Sequence, residues 1–348
     1  MRFLKYISIA TIFALGIYFV VIRNNPYQEI SGKAFGTYYN IKIRTENKNR
    51  ELPLKIKNEL NKINQEMSVF EPDSEINKIN ALETAQTIEI SDNMNTLLSS
   101  AKKIHHLTNG NFDPTVGPLV ELWGFGTVKQ NLTPTTEQIQ ATLKNIGFDK
   151  IKLNNKTLSK QNHNLMINLS AIAKGYAVDR ISNLLQSEGY KNYVIEIGGE
   201  VYASGSKSDT TKGWTIGVAS PTQDSQTTEN SAIVILSNMA VATSGDYRNY
   251  YYKDNKRYSH TISPQTGYPV EHNLASVTVF DSNCMNADAI ATGIMAMGET
   301  KGLKFANQNK IPAIFFIRNE KNEIELLLSK QGQELLSKQG IILSSSPR

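Results

Sequence analysis

Cysteine is nearly absent from this chain: one residue, Cys284, in 348. A lone thiol forms no intramolecular disulfide and supplies no CxxC pair, so neither cystine staples nor a structural zinc site hold the fold. Also missing is any long Lys/Arg run with interleaved aromatics, which argues against a nucleic-acid partner. The net charge of +5 does not change that conclusion. Arg2, Lys5 and Arg23 fall within the first 25 residues, which hold no acid, and the remainder carries 34 basic against 32 acidic groups, a balance of +2. No internal repeat, low-complexity tract or long Pro/Gly/Ser linker divides the chain. What is present, 40% hydrophobic residues including 8% aromatics, suffices for a packed core and excludes a disordered or collagen-like chain.

The first 25 residues read as a membrane address. Between Lys5 and Arg23 runs an uncharged stretch from Tyr6 to Ile22, YISIATIFALGIYFVVI, which as a helix is about 25 Å long. Positive charges ahead of it keep the N-terminus in the cytoplasm and send the rest across. The following FVVIRNNP offers no small-x-small cleavage site and no cysteine for lipidation, so the pattern predicts an uncleaved anchor over residues 1–25. A linker over 26–33 and one domain over 34–348 follow from the absence of any later break.

The domain pattern is α+β. Residues 34–44 alternate like a strand and 51–67 carry apolar residues at helical spacing. Helical patterns recur at 92–107, at 135–146 behind a capped start, at 170–189 up to Gly189, and at 286–298. HNLMINL (163–169), YVIEI and EVYAS around Gly198-Gly199, WTIGVA, SAIVIL, LASVTVF and AIFFIR read as strands. Hairpins with scattered helices argue against a regular βαβ alternation.

Chemistry concentrates in two helix-opening segments and two loops. Asn168-Leu169-Ser170-Ala171-Ile172-Ala173-Lys174-Gly175 puts small residues and backbone N–H groups at a helix start, which suits an anionic phosphate. Asp288 and Thr292, four apart, project from one helical face, and oxygen ligands suit a hard cation such as Mg²⁺. From spacing alone, an Asp near a helix start such as Asp288 is more often a cap or first-turn charge. GNFDPTVGPLVELWGFG (110–126) is too rigid and apolar for a plain connection and is expected to line something. SGDYRNYYYKDNKRYSHTISPQTGYP (244–269) gathers tyrosines, Arg248, Arg257 and His260, with a hairpin bearing an aromatic face as the simpler reading. His105 and His106, adjacent on a helix, do not face one ligand together. Cys284 reads as a small core residue.

Eight ordered blocks together resemble one family: AFGTYY (34–39), MSVFEPDSEINKIN (67–80), FDPTVGPLVELWGFG (112–126), INLSAIAKGYAVDRI (167–181), EIGGEVYASG (196–205), SGDYRNYY (244–251), SHTISPQTGYPVEHNLASVTV (259–279) and ADAIATGIMAMG (287–298). This combination is similar to the ApbE family, the FAD:protein FMN transferases. The resemblance implies a T-fold-like α+β domain that moves FMN from FAD, its substrate, to a threonine hydroxyl of a target flavoprotein subunit, forming a phosphoester and releasing AMP. It implies Mg²⁺ held by the Ala171 carbonyl with the side chains of Asp288 and Thr292. Some relatives have a further aspartate at the position of Ala291, where this chain lacks a donor. Contacts to FAD are implied for Phe35, Phe70, Asn111, Phe112, Asp113, Asn168, Lys174 and Ile262, Lys174 standing where others carry glutamate. His260 is the implied proton acceptor for the incoming threonine, with Asp288 the other catalytic residue and Arg248 a candidate for phosphate or target contact. The implied partner is a subunit of a membrane electron-transport complex such as a sodium-pumping reductase. The expected location is the bacterial inner membrane with the catalytic domain facing the periplasm. An FAD pyrophosphatase and a non-catalytic FAD-binding protein are the alternatives. No copy of the family's target motif occurs in the chain, so the acceptor is another protein.

Overall fold

The computed structural model describes residues 26–127, 133–219, 221, 230–247, 250–254, 256–321, 323–339 and 342–343. The expected anchor over residues 1–25 and Arg248 lie outside them. Among the described residues no helix is long and apolar enough to cross a membrane.

Eight strands form the central sheet: β1 (Tyr27–Ala34), β2 (Thr37–Arg44), β3 (Tyr193–Ile197), β4 (Glu200–Ser204), β5 (Met239–Gly245), β6 (Leu274–Asp281), β7 (Ala313–Arg318) and β8 (Ile324–Leu328). Their spatial order is their chain order and every adjacent pair is antiparallel. The chain therefore lays down one meander and places its other elements in the connections. The segment 26–33, expected as a linker, is a correction: nearly all of it belongs to β1, which pairs with β2 from Tyr27↔Arg44 to Ala34↔Thr37. Its alternating buried and exposed residues, with Gln28 and Ile30 inward, carry the period of a sheet edge.

Side chains alternate between two cores. From β5, Ala240 and Ala242 face one and Val241 the other; from β7, Ala313 and Phe315 face one and Ile314 and Phe316 the other. Burial on both faces shows in β6, which is buried from Leu274 to Phe280 and carries apolar residues at all but Ser276 and Thr278 of those positions although its neighbours are antiparallel. One face is covered by helices α1 (Leu52–Met67), α2 (Asp92–Leu107), α3 (Ala173–Ser187) and α4 (Cys284–Gln308), the other by the strands Trp214–Ala219 and Asn230–Leu236. In α1 the buried positions Leu52, Ile56, Leu60, Ile63 and Met67 recur at helical spacing, which fixes the face it turns inward.

Three further expectations change. HNLMINL is not a strand; it makes only an isolated bridge, Met166 with Val116. The amide of Asn80 takes the place of a ladder, accepting from Ile167 N at 2.7 Å and donating to Ile167 O at 3.0 Å. The helix over 286–298 begins earlier and runs on to Gln308, bent at Gly298 (φ 76°), because Gly302, Phe305 and Ala306 continue its buried stripe. The helix over 135–146 is shorter, Thr136–Leu143, and does have a capping box between Thr135 and Gln138.

The start of α4 is braced by α3. Asp179 accepts Cys284 N at 2.8 Å on Oδ1 and Met285 N at 2.9 Å on Oδ2, while Asn283 Oδ1 accepts Asn286 N at 2.9 Å. Amide groups that a helix start leaves unpaired are thus satisfied. The two helices meet at Gly175, where an added Cβ would collide with the Cys284 carbonyl oxygen and lie 2.8 Å from Met285 Cα. Both obstacles are backbone, so the crossing has no flexible side chain to yield. Gly175→Ala is expected to lower unfolding stability by ~1–3 kcal/mol, the usual scale for overpacking. Urea unfolding measures this, and unchanged stability would contradict the crossing.

Candidate functional site

A cavity of about 440 Å³ opens where the β3–β4 turn, the end of β5, the start of α3 and the first turns of α4 meet, a volume within the usual range for a small-molecule site. Phe70, Asn111, Phe112, Asp113, Asn168, Ala171, Lys174, His260, Ile262, Asp288 and Thr292 all line it, brought together from five separate stretches of chain. Phe35 is the exception. It occupies the β1–β2 turn with φ 53° and packs against the helix-side core, away from the cavity lining. Phe70 stands at the rim, 63% exposed.

The Gly175 crossing shapes the cavity floor. In a regular helix the Gly175 N–H would bond four residues back to Ala171; here it donates to Asp288 Oδ2 at 3.1 Å. Among the described residues the Ala171 carbonyl takes no backbone N–H, and Ala171 is one of the lining residues. Thr292 Oγ1 sits one turn along α4 from Asp288 and shares a 3.1 Å hydrogen bond with Ser244 Oγ of β5. Ala171, Asp288 and Thr292 thus line one cavity, and a carbonyl, a carboxylate and a hydroxyl are together an oxygen-only set of the chemistry that fits a hard cation. Ala291 is wholly buried in the core and is not among the lining residues.

Glu200, which the sequence pattern did not single out, is a third buried carboxylate of the cavity beside Asp113 and Asp288. It is 2% exposed, forms an ion pair through Oε1 with Lys174 Nζ, and its Oε2 has no hydrogen-bond partner. A buried carboxylate oxygen left unpaired is an exception among buried polar groups. Burial pushes the Glu200 carboxyl up to about 7 against the pull of Lys174. Burial likewise raises Asp288, with Lys174 and the Gly175 N–H drawing it back. For Lys174 burial opposes the charge, but Glu200 and Asp288 outweigh it and hold the ammonium well above its ordinary value. The ammonium for which contact with FAD is implied is thus already engaged with a carboxylate. The available signal for Glu200 was an acid directly after Gly-Gly at the head of an otherwise apolar strand.

The 110–126 segment does line the site. Asp113 Oδ1 accepts from Thr115 N at 2.8 Å and Thr115 Oγ1 at 2.6 Å, closing a tight turn. His105 stands behind it, with Nδ1 3.0 Å from Phe112 O and 3.5 Å from Asp113 Oδ2. Burial raises the Asp113 carboxyl, opposed by Thr115 and His105. His105 therefore braces a wall of the cavity from outside. The 244–269 segment forms a hairpin, Tyr250–Lys253 with Lys256–Ser259, whose Tyr251 stacks between Tyr258 and Phe125. His260 follows directly and meets Phe125 edge-on at 6.5 Å.

The family model of the ApbE family matches residues 35–315, a span that contains every residue lining the cavity. The chain belongs to the ApbE family. Among its ApbE relatives, the FAD:protein FMN transferase of Vibrio cholerae serotype O1 is 38% identical over 295 residues, covering 84% of this chain and 87% of that one. The protein of the same name from Haemophilus influenzae is 39% identical over 304 residues, covering 84% and 86%. The solved flavin transferase ApbE from Vibrio cholerae matches with a TM-score of 0.81 at 36% identity over 88% of this chain and 98% of that one. The flavinyl transferase ApbE of Pseudomonas stutzeri in its apo form also matches at 0.81, with 33% identity over 89% and 96%. The mixed α and β ApbE fold is therefore that of this chain.

Asp179, which caps the helix carrying Asp288, gives a pH test of this ApbE site's framework. Burial is the main reason its carboxyl rises from 3.8 to about 6, the two N–H bonds pulling the other way. The folded state therefore keeps the proton longer than the unfolded chain does. Its stabilising contribution is complete below about pH 4 and fades as pH rises through about 6. Asp179→Asn is expected to flatten the decline in stability across that window, read by urea unfolding at successive pH values. A decline of unchanged slope would contradict it.

Proposed function

We propose that this ApbE chain transfers FMN from FAD to a threonine hydroxyl of a target flavoprotein and releases AMP. The observation that supports this best is the convergence in one cavity of an oxygen-only donor set, a helix start and an imidazole, in a chain whose relatives are named FAD:protein FMN transferases. The threonine Oγ bonds to the FMN-side phosphorus, the phosphoanhydride oxygen leaves with AMP, and the hydroxyl proton passes to a base. His260 at the cavity wall takes that proton, since imidazole exchanges protons near neutral pH. Asn168 and Ser170 lie at the start of α3, where the helix dipole favours the anionic diphosphate. Phe70, Phe112 and Ile262 offer apolar surface to the flavin ring.

Asp288, Thr292 and the Ala171 carbonyl would hold Mg²⁺, which supplies charge neutralisation at the diphosphate when bound. Lys174, committed to Glu200, keeps that carboxylate from repelling the phosphates. We place the domain on the periplasmic side of the bacterial inner membrane, held by the anchor expected over residues 1–25, with an electron-transport subunit such as that of a sodium-pumping reductase as acceptor. With Tyr27 already in β1, little chain separates that anchor from the folded domain.

Full-length protein incubated with FAD, Mg²⁺ and such an acceptor is expected to yield an acceptor band that fluoresces as flavin after denaturing electrophoresis. Asp288→Ala is expected to lower the transfer rate by at least ~100-fold, and His260→Ala by ~10²–10⁴-fold. An acceptor without covalent flavin, or AMP released as fast without acceptor as with it, would overturn the transferase reading in favour of hydrolysis.

A further inference from the structure

We propose that Asp246 is a positioning residue that clamps the hairpin carrying His260 to the central sheet through Arg257 and Arg318. The inference rests on the transferase reading and on His260 acting within it. Asp246 follows the last residue of β5, whose Thr243, Ser244 and Gly245 line the cavity, and it is 5% exposed. Arg318, the last residue of β7, grips both carboxylate oxygens, NH1 to Oδ2 at 2.8 Å and NH2 to Oδ1 at 2.7 Å. Arg257, on the hairpin strand Lys256–Ser259, adds NH1 to Oδ2 at 2.7 Å and NH2 to the Asp246 carbonyl at 2.6 Å. One buried residue thus joins two sheet strands and the hairpin, its carboxylate accepting three charge-assisted hydrogen bonds and its backbone carbonyl a fourth. Burial works against the Asp246 charge, but Arg318 and Arg257 hold its carboxyl below the ordinary range.

Two rings of the hairpin join it to a different neighbour, while the Tyr250 ring lies under the Arg257 guanidinium at 4.4 Å. Tyr251 stacks on Phe125 and Tyr258 lies against Trp123, both on the 110–126 segment. Arg257 therefore ties the hairpin to the sheet from the opposite side, three residues before His260. The residue it holds must meet a hydroxyl to within a fraction of an ångström, so slack at this point reaches the reaction before it reaches the fold.

The arrangement allows a clean test, because Asp246 keeps the bidentate Arg318 pair when Arg257 is removed. No buried charge is then left without a partner, the situation that makes removal of one ion-pair member severe. Arg257→Met is expected to unfold within a few degrees of wild type and to bind FAD with unchanged affinity, while the transfer turnover falls ~10–100-fold. Arg257→Lys, which keeps the charge but loses the two-pronged contact, is expected to recover only part of the loss. In the His260→Ala background, Arg257→Met is expected to cost little more, since the positioned group is already gone. Losses that multiply in the double variant, or unchanged turnover in Arg257→Met, would overturn the clamp. Wild-type protein that transfers no FMN would instead overturn the transferase reading, so the two failures are distinguishable.

Discussion

The contact between Gly175 and the first turn of α4 is the constraint on which the site depends. Two helices from distant parts of the chain approach until a single methyl group would not fit between them. The approach brings the Gly175 N–H to Asp288 and takes it from Ala171, so one hydrogen bond orients a carboxylate and exposes a carbonyl. Asp179 holds the same junction from one turn further along α3 by capping α4. The donor set is thus a consequence of backbone packing, and its side chains have little freedom to rearrange. Preorganisation of this kind suits a reaction that depends on positioning and charge more than on covalent chemistry.

Charge is arranged around that junction in compensated groups. Lys174 offsets Glu200 beside Asp288, and Arg257 with Arg318 offset Asp246 beneath the hairpin. Glu200 and Asp246 each have a cationic partner, as burial of charge requires. The Oε2 of Glu200, a residue of the cavity lining, is buried without a hydrogen-bond partner. The walls therefore divide their work: fixed polar groups at the floor, apolar rings toward the rim, and the histidine on a hairpin braced from two sides.

Much of this was legible in the sequence because the signals were local. Helix and strand periods located α1, α2 and most of the sheet, the capping residues located Thr136–Leu143, and spacing put Asp288 and Thr292 on one face. What escaped depended on distant partners. HNLMINL has strand composition, but its backbone pairs with the amide of Asn80, which no period reveals. Glu200 gains meaning only once Lys174, 26 residues away, is folded onto it. Phe35 lies in a matching block, yet its turn directs it to the core. His105 looked idle beside His106 because its partner, Asp113, sits in the following loop. Residues 26–33 looked like a linker since edge strands carry polar residues on their open side.

The most direct measurement is an anomalous-difference map from crystals of the protein soaked in Mn²⁺, a hard cation that can take the place proposed for Mg²⁺. The account predicts a single strong peak in the cavity, bonded to the Ala171 carbonyl, Asp288 and Thr292, that disappears in Asp288→Ala crystals of the same form. A peak away from these three donors, or one that persists without the Asp288 carboxylate, would contradict it.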